Sequence, residues 1–349
     1  MKYILIFIFI QIFSNNLFGK PDKYDFLKSD NLSNNTQYFK NSTSPHFEKI
    51  IFSSGNIFKG EIKDGKYNGP GVFIWSDGRK YEGIFEDGKK HGHGKWSSNN
   101  GEYFVGEWKN GKKNGHGIFT YPDGSKYAGE WENGEKNSHG IFTYPDGSKY
   151  IGKWENGRKN GYGIEIYSKS DKYVGEFLKG KKHGHGTQTY KNGTIYTGEW
   201  GNGQYSGNGE LKSPDGKKYK GEWENGTYHG YGEYIFGKGK WLGDKYIGEF
   251  KFGQKHGHGE YIFSNGRKYI GEFKDGLKHG LGTFTNPNGG KYVGEFVKGK
   301  KHGEGTIISR IGDKFIGKFK DGLFWNVSIY NKEGELMGKI VNGAIQKKN

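Results

Sequence analysis

Cysteine is absent from this chain, which excludes disulfide staples, thiolate metal centres, thiol nucleophiles and lipid-modified cysteine, and leaves no redox clue to compartment. Long hydrophobic stretches are missing too. The run from Tyr3 to Phe13 covers eleven residues, whereas a membrane-spanning helix needs about 20. Apolar residues make up only 31% of the sequence, and aromatic rings supply 17%. Negative charge is in deficit, leaving a formal net charge of +16.

What the chain has in abundance is glycine, 64 residues of it, set at regular intervals. Phe104 to Lys126 (FVGEWKNGKKNGHGIFTYPDGSK) is one copy of a 23-residue repeat. Copies start at Phe58, Tyr81, Phe104, Tyr127, Tyr150, Tyr173, Tyr196 and Tyr219, and after a four-residue insertion at Tyr246, Tyr269, Tyr292 and Phe315. A fixed period of this size predicts a repeat architecture, in which each unit buries its apolar face by stacking on its neighbours.

Within one repeat, Phe104, Gly106 and Trp108 alternate at period 2, the spacing of one face of a β-strand. Asn110-Gly111 then supplies a hairpin turn, and the return strand carries Gly115, Gly117, Phe119 and Tyr121, again at period 2. Asp123-Gly124 turns the chain back toward Tyr127. Each repeat therefore reads as a β-hairpin, and the series as an antiparallel meander. Glycine inside a strand marks a close approach by another group. Gly106 and Gly117 share the aromatic face, so the rings are expected to lie over a glycine floor. The aromatic face is read from Trp108, Trp131, Trp154, Trp200 and Trp223, and is expected to be presented, with the basic edges, to an anionic membrane surface or a partner protein.

The pattern Y-x-G-E-W-x-N-G-K-x-x-G-x-G, seen as YAGEWENGEKNSHG (Tyr127–Gly140) and YKGEWENGTYHGYG (Tyr219–Gly232), resembles the MORN repeat, the membrane occupation and recognition nexus motif. The likeness runs from Phe58 to about Trp325 in twelve copies. It implies an all-β, elongated single-layer antiparallel meander of β-hairpin repeats, forming a twisted ribbon or solenoid. It also implies a function as a lipid-associated module, scaffold or oligomerisation surface. Twenty-four strands at ~4.8 Å spacing would extend about 115 Å.

The flanks are read as follows. Residues 1–19 fit a secretory signal peptide, with an uncleaved anchor as the alternative, so the protein is expected to be exported to a periplasmic, outer-envelope or extracellular site. Residues 20–47 are a polar tether, 48–57 an N-terminal cap strand, 58–325 the repeats, and 326–349 a degenerate C-terminal cap and tail. The insertion Gly237–Asp244 is a protruding loop carrying Trp241.

Several motifs carry no chemistry. G-x-x-x-x-G-K at Gly83–Lys89, Gly106–Lys112, Gly175–Lys181 and Gly294–Lys300 imitates a phosphate loop, but lysine follows where Ser or Thr is required, and the context is a hairpin. His91-Gly-His93, His183-Gly-His185 and His256-Gly-His258 lack matched third and fourth ligands for zinc. Glutamate recurs one residue after the strand glycine in nine repeats, from Glu61 to Glu295. A carboxylate in every repeat is a solubilising row paired with lysines, because catalysis needs one unusual site. No enzyme, cofactor or metal is expected.

The basic excess is the remaining functional signal. Hairpin tips carry Lys89 and Lys90, Lys112 and Lys113, Arg158 and Lys159, Lys181 and Lys182, and Lys300 and Lys301, read as one cationic edge. The opposite edge carries Lys126, Lys149, Lys172, Lys218, Lys245, Lys268, Lys291 and Lys314. Such edges suit an anionic phospholipid or another envelope polyanion. An unknown protein partner or homo-oligomer is the alternative, the lysines then serving only to block edge aggregation. Nucleic acid is not expected behind a secretory leader.

Overall fold

A computed structural model of the chain describes residues 46–168 and 170–346. The expected signal peptide (residues 1–19), residues 20–45 of the expected tether and the last three residues lie outside the described residues. The described residues fall into two bodies, 46–99 and 100–346. Both are all-β and antiparallel, and no helix occurs among the described residues.

In the first body, strand His46–Ile51 pairs with Ile57–Lys63, and Lys66–Ile74, Lys80–Glu86 and Lys89–Ser97 follow in hairpin order. The strand from His46 begins two residues inside the segment expected to be tether. In the second body, a meander of hairpins runs from Tyr103–Lys109 to Ala344–Gln346.

The repeat beginning at Tyr173 shows the local logic. Strand Lys172–Leu178 turns through Lys179 and Gly180, at φ +50° and +88°, into strand Lys181–Thr189. Two successive left-handed residues make the hairpin turn whose twist matches the strands. Gly175 then pairs with Gly186, and Gly186 with Gly198. The same cross-strand glycine contact repeats from Gly106–Gly117 to Gly305–Gly317, so a lane without side chains crosses the inner face. Tyr173 lies flat in that lane and is completely buried. A Cβ on Gly175 would sit 2.5 Å from Gly186 Cα and from the Tyr173 hydroxyl, and 2.6 Å from the His185 carbonyl. The expected glycine floor is therefore present.

Beside the lane the strand pair within each hairpin is bulged, while the pairs between repeats keep regular register. Gly175 faces Gly186 but Glu176 faces His183, so Gly184 and His185 are two extra residues on the return strand. A bulge of this kind leaves backbone groups without ladder partners. Two side chains satisfy them. The Tyr173 hydroxyl donates to the Glu176 carbonyl at 3.0 Å, and the Glu176 carboxylate accepts from the His185 N–H at 3.1 Å. Gly184, at φ +56°, lies against that carboxylate. The same pair of bonds recurs at Tyr219 with Glu222, Tyr246 with Glu249, and Tyr292 with Glu295.

The lane ends where its glycines end. Across from Gly317 stands Val327, and Phe315 is only half-buried, unlike the first ring of the other repeats.

Two outcomes follow. Gly175→Val should lower stability by about 1–3 kcal/mol, the cost of overpacking, while Lys181→Ser should stay within about 0.5 kcal/mol; equal shifts in urea midpoint would contradict this face assignment. Ser138 occupies the bulge-glycine position of its repeat at φ +54°, and its neighbour His139 makes a long 3.4 Å bond to Glu130. A left-handed conformation costs a non-glycine residue roughly 1–2 kcal/mol, so Ser138→Gly should raise stability by about 1 kcal/mol in the same assay.

Candidate binding surfaces

The inner face is filled by the chain itself. Trp108, Trp131, Trp154, Trp200 and Trp223 are only 3–6% exposed. Trp131 sits edge-on to Tyr127 of its own repeat at 5.2 Å and to Phe104 of the preceding one at 5.4 Å. Its indole N–H donates to the Gly117 carbonyl at 3.2 Å. Trp154, Trp200 and Trp223 make the same bond to Gly140, Gly186 and Gly209. These rings join one repeat to the next, and the expectation that they form a surface offered to a partner is corrected: they are the core. Edge-to-face pairs contribute ~0.5–1.5 kcal/mol beyond burial, and their serial repetition holds the stack together.

The hairpin-tip cations are also divided. Lys89, Lys112, Arg158, Lys181 and Lys300 are exposed, but Lys90, Lys113, Lys159, Lys182 and Lys301 turn onto the inner face. Lys113 Nζ lies 3.9 Å from the Phe119 ring centre and 4.6 Å from that of Trp131. Lys182 lies over Tyr173 at 4.7 Å and Trp200 at 4.8 Å. The two members of each pair are already strand residues, and successive strand residues point to opposite faces. The ten cations therefore do not form one edge.

Lys136, Lys255 and Lys278 occupy the same inward position. Their role was missed because the tips were read as clusters of charge instead of by their place in the repeat. Where lysine is absent from this position, a ring replaces it: Tyr205 stacks on Tyr196 at 3.7 Å and Tyr67 on Phe58 at 4.1 Å. A cation or a ring thus covers the buried first aromatic in either case.

Burial lowers the inward lysines. Lys113, Lys255 and Lys278 are each pushed down to about 8. Lys159 behaves differently: burial alone would lower it, but its bond to the Glu165 carboxylate raises it. Glu165 and Gln188 interrupt the second row of rings, and Gln188 accepts from Lys182 at 2.5 Å.

On the outer face, the expected pairing of the glutamate row with lysines is corrected, since those carboxylates hold the bulge amides. Two other features stand out. Lys126, Lys149 and Lys172 start successive outgoing strands, and the residues directly across from them are Thr120, Thr143, Ile166 and Thr189. No carboxylate stands opposite them in the ladder. Alongside runs an unbroken apolar stripe, Val105–Ile118–Ala128–Ile141–Ile151–Ile164–Val174, each residue directly opposite the next. The inserted loop exposes Trp241 to 53%, and its closing residue Asp244 is buried, accepting from the Tyr261 hydroxyl at 2.6 Å.

These titrations predict a stability maximum in alkali. For lysines held near 8 in the folded state and 10.5 when unfolded, the unfolded chain binds more protons between those values. Stability should therefore rise across that window. Buried tyrosines shift the opposite way: desolvation raises Tyr292 from 10.0 to about 12 and the other lane tyrosines further. Above about pH 10 the unfolded state loses those protons first, and stability should fall. Urea midpoints should peak near pH 10, and Lys113→Met with Lys255→Met and Lys278→Met should flatten the rising limb. A steady decline from neutral pH would contradict the placement of the ammonium groups.

Comparison with known proteins completes the picture. A search of curated proteins finds no matching relative. Solved structures that share some likeness include the TCP domain of SAS-4 from Drosophila melanogaster in complex with a proline-rich motif of Ana2. It is 11% identical, covers 54% of this chain and 96% of that one, and has a TM-score of 0.28. Virginiamycin B lyase from Staphylococcus aureus is 12% identical, covers 84% and 94%, and has a TM-score of 0.14. Scores this low carry no argument about fold or activity. The family model for the MORN repeat, in contrast, matches eleven consecutive segments from 58–78 to 292–314. The hairpin from Phe315, with Val327 closing its lane, falls beyond the match. The chain belongs to the MORN repeat family.

Proposed function

We propose that the protein is a non-enzymatic scaffold that lays its outer lysine row along an extended polyanion, either an anionic membrane or an envelope polymer met after export. The observation that carries this reading is the row itself. Lys126, Lys149, Lys172, Lys218, Lys291 and Lys314 are exposed at the starts of their strands. Lysines of adjacent repeats lie two strands apart, roughly 10 Å. Lys245 and Lys268 belong to the same row but pair with Glu233 and Glu260. With the tryptophans buried and half of the tip lysines turned inward, this row and the outward tip cations are what the protein offers an extended anionic surface.

The apolar stripe from Val105 to Val174 favours a second reading, a protein-binding scaffold, because an extended partner segment could bury it. Salt separates the two. Each cation near an anionic surface contributes ~1 kcal/mol, and that attraction fades within ~8 Å at physiological salt.

In a vesicle sedimentation assay, the protein should bind anionic vesicles at low salt and release them as salt rises. Joint replacement of Lys126, Lys149, Lys172, Lys218 and Lys314 by glutamine should abolish binding without changing the melting temperature. Protein that ignores anionic vesicles at low salt would remove the membrane from this proposal. A salt-insensitive partner lost on Ile141→Lys would favour the protein scaffold.

A further inference from the structure

The inner face is not filled to its end. Rings from the return strands form a second row, in which Tyr261 meets Phe263 at 4.6 Å and Phe263 meets Phe284 at 5.9 Å. Beyond Phe284 the fill stops. The positions that hold Tyr121, Tyr144 and Phe263 in earlier repeats hold Asn286 and Ser309 in the repeats from Tyr269 and Tyr292, and Ile307 takes the place of Phe284. An open cleft of about 470 Å³ remains, lined on its apolar side by Phe284, Tyr292, Phe296 and Ile307.

The charge of this cleft has one sign. Lys278, Lys291, Lys300, Lys301 and Arg310 line it, and no aspartate or glutamate does. Arginine occurs at this position in no earlier repeat: four copies place Pro122, Pro145, Pro214 or Pro287 there, one places Lys191, and the rest have small or polar residues. Lys278 Nζ lies 4.5 Å from the Phe284 ring centre and 5.9 Å from that of Phe296, while Lys301 Nζ lies 4.9 Å from that of Tyr292. Both ammonium groups are half-buried, and burial, then the charges of Lys255, Arg267 and Lys301, disfavour the charged form of Lys278. At two inward lysines the chain supplies a polar partner of its own, Glu165 for Lys159 and Gln188 for Lys182, whereas Lys113, Lys136 and Lys255 lie over rings as Lys278 and Lys301 do. Here two such lysines and an arginine face a space large enough for a small molecule.

We propose that this cleft is an anion site for a phosphate group carried on a small body, with Lys278 and Lys301 as the inner cations and Arg310 closing the rim. Asn286 and Ser309 supply further hydrogen-bonding groups, and the Tyr292 and Phe296 rings form the floor against which the ligand body packs. A phosphate placed here relieves the repulsion between the two lysines and gives their desolvated charges a partner, which makes each bond to it charge-assisted. Arginine suits the rim because its planar fork matches phosphate oxygens two at a time. The site shares Lys291 with the outer lysine row, but its inner cations Lys278 and Lys301 lie on the opposite face, and it does not depend on the other lysines of that row.

The phosphate could be free or displayed on a membrane, and the probes distinguish these sources. Lysine ammonium groups carrying ¹³C-methyl labels would be followed by NMR while inorganic phosphate, glycerol phosphate, phosphatidylglycerol vesicles or neutral vesicles are added to the full-length protein. Saturable shifts at Lys278 and Lys301, with their titrations moved upward, are the expected result. Free phosphate compounds acting alone indicate a soluble ligand, and anionic vesicles acting alone indicate a headgroup. The double variant Lys278→Gln with Lys301→Gln should bind at least about tenfold more weakly, since each charged hydrogen bond is worth that much or more. Its melting temperature should equal or exceed that of the parent. If the double variant does not fold, Arg310→Ala at the exposed rim decides, with a loss of about tenfold expected. The five-lysine variant of the outer row should retain these shifts, so failure of the row leaves this site standing and the reverse. Absence of saturable shifts with every probe, or binding unchanged in the variants, overturns the proposal.

Discussion

The rest of the structure depends on the contact between facing glycines. Where Gly175 meets Gly186, and Gly186 meets Gly198, the strands present bare backbone, and an aromatic ring can lie flat against the sheet. A sheet of one layer ordinarily exposes both faces to water and has nowhere to hide its rings. Here the rings hide inside the sheet's own relief. Sinking Tyr173 into the lane buries it completely, and Phe177 and Trp200 then pack edge-on against it at 5.2 and 5.0 Å. Each ring contacts its own repeat and the next, so burial propagates along the chain without a second layer. That is how a sequence with so little apolar content holds a core.

The lane has a consequence for the backbone. Beside the glycine contact inside each repeat the hairpin takes up two extra residues, and the amide and carbonyl thus displaced need partners. The tyrosine hydroxyl and the glutamate carboxylate provide them, which gives one physical reason why Tyr and Glu recur in the same repeat. Leaving a buried carbonyl without a donor costs about 1–3 kcal/mol. Phe104 lacks the hydroxyl and fills the lane all the same, so ring burial is the primary requirement and the hydroxyl refines it.

Much of this was legible in the sequence, because the signals were periodic. The 23-residue spacing, the Asn-Gly tips and the glycines between aromatics fix hairpins, meander and floor. The errors have two causes. Reading Lys112-Lys113 as a single patch ignored the alternation that had been applied correctly to Phe104 and Trp108, and so hid the cations that roof the rings. Reading Glu107 or Glu176 as solubilising charge followed from not seeing the bulge, since no residue announces two unpaired positions until strand register is known. The cleft beyond Phe284 was invisible for another reason. It arises from what Asn286, Ile307 and Ser309 fail to fill, and a gap between neighbours is a property of packing.

These points bear on recognition. An array that spends its aromatic face on its own cohesion cannot offer that face to a partner without losing the stack. Recognition must then fall to the places that cohesion leaves unused: the outer face, the strand edges and the points where the ring fill retreats. Those places are also where the repeats differ most from one another. The inner positions of Tyr127 and Tyr246 are almost interchangeable, but Val105, Ile141 and Val174 on the outer face give way to Thr197 and Lys220 further along. Arg310 stands where four other repeats have proline. In a repeat protein the common residues are answerable to the fold, and departures from the repeat at exposed or cleft-lining positions are free of that constraint. The apolar stripe and the cationic cleft lie at such positions, and the lysine row, though it recurs from repeat to repeat, is largely exposed and takes no part in ring burial; each is therefore open to selection by a ligand while the glycine lane is not.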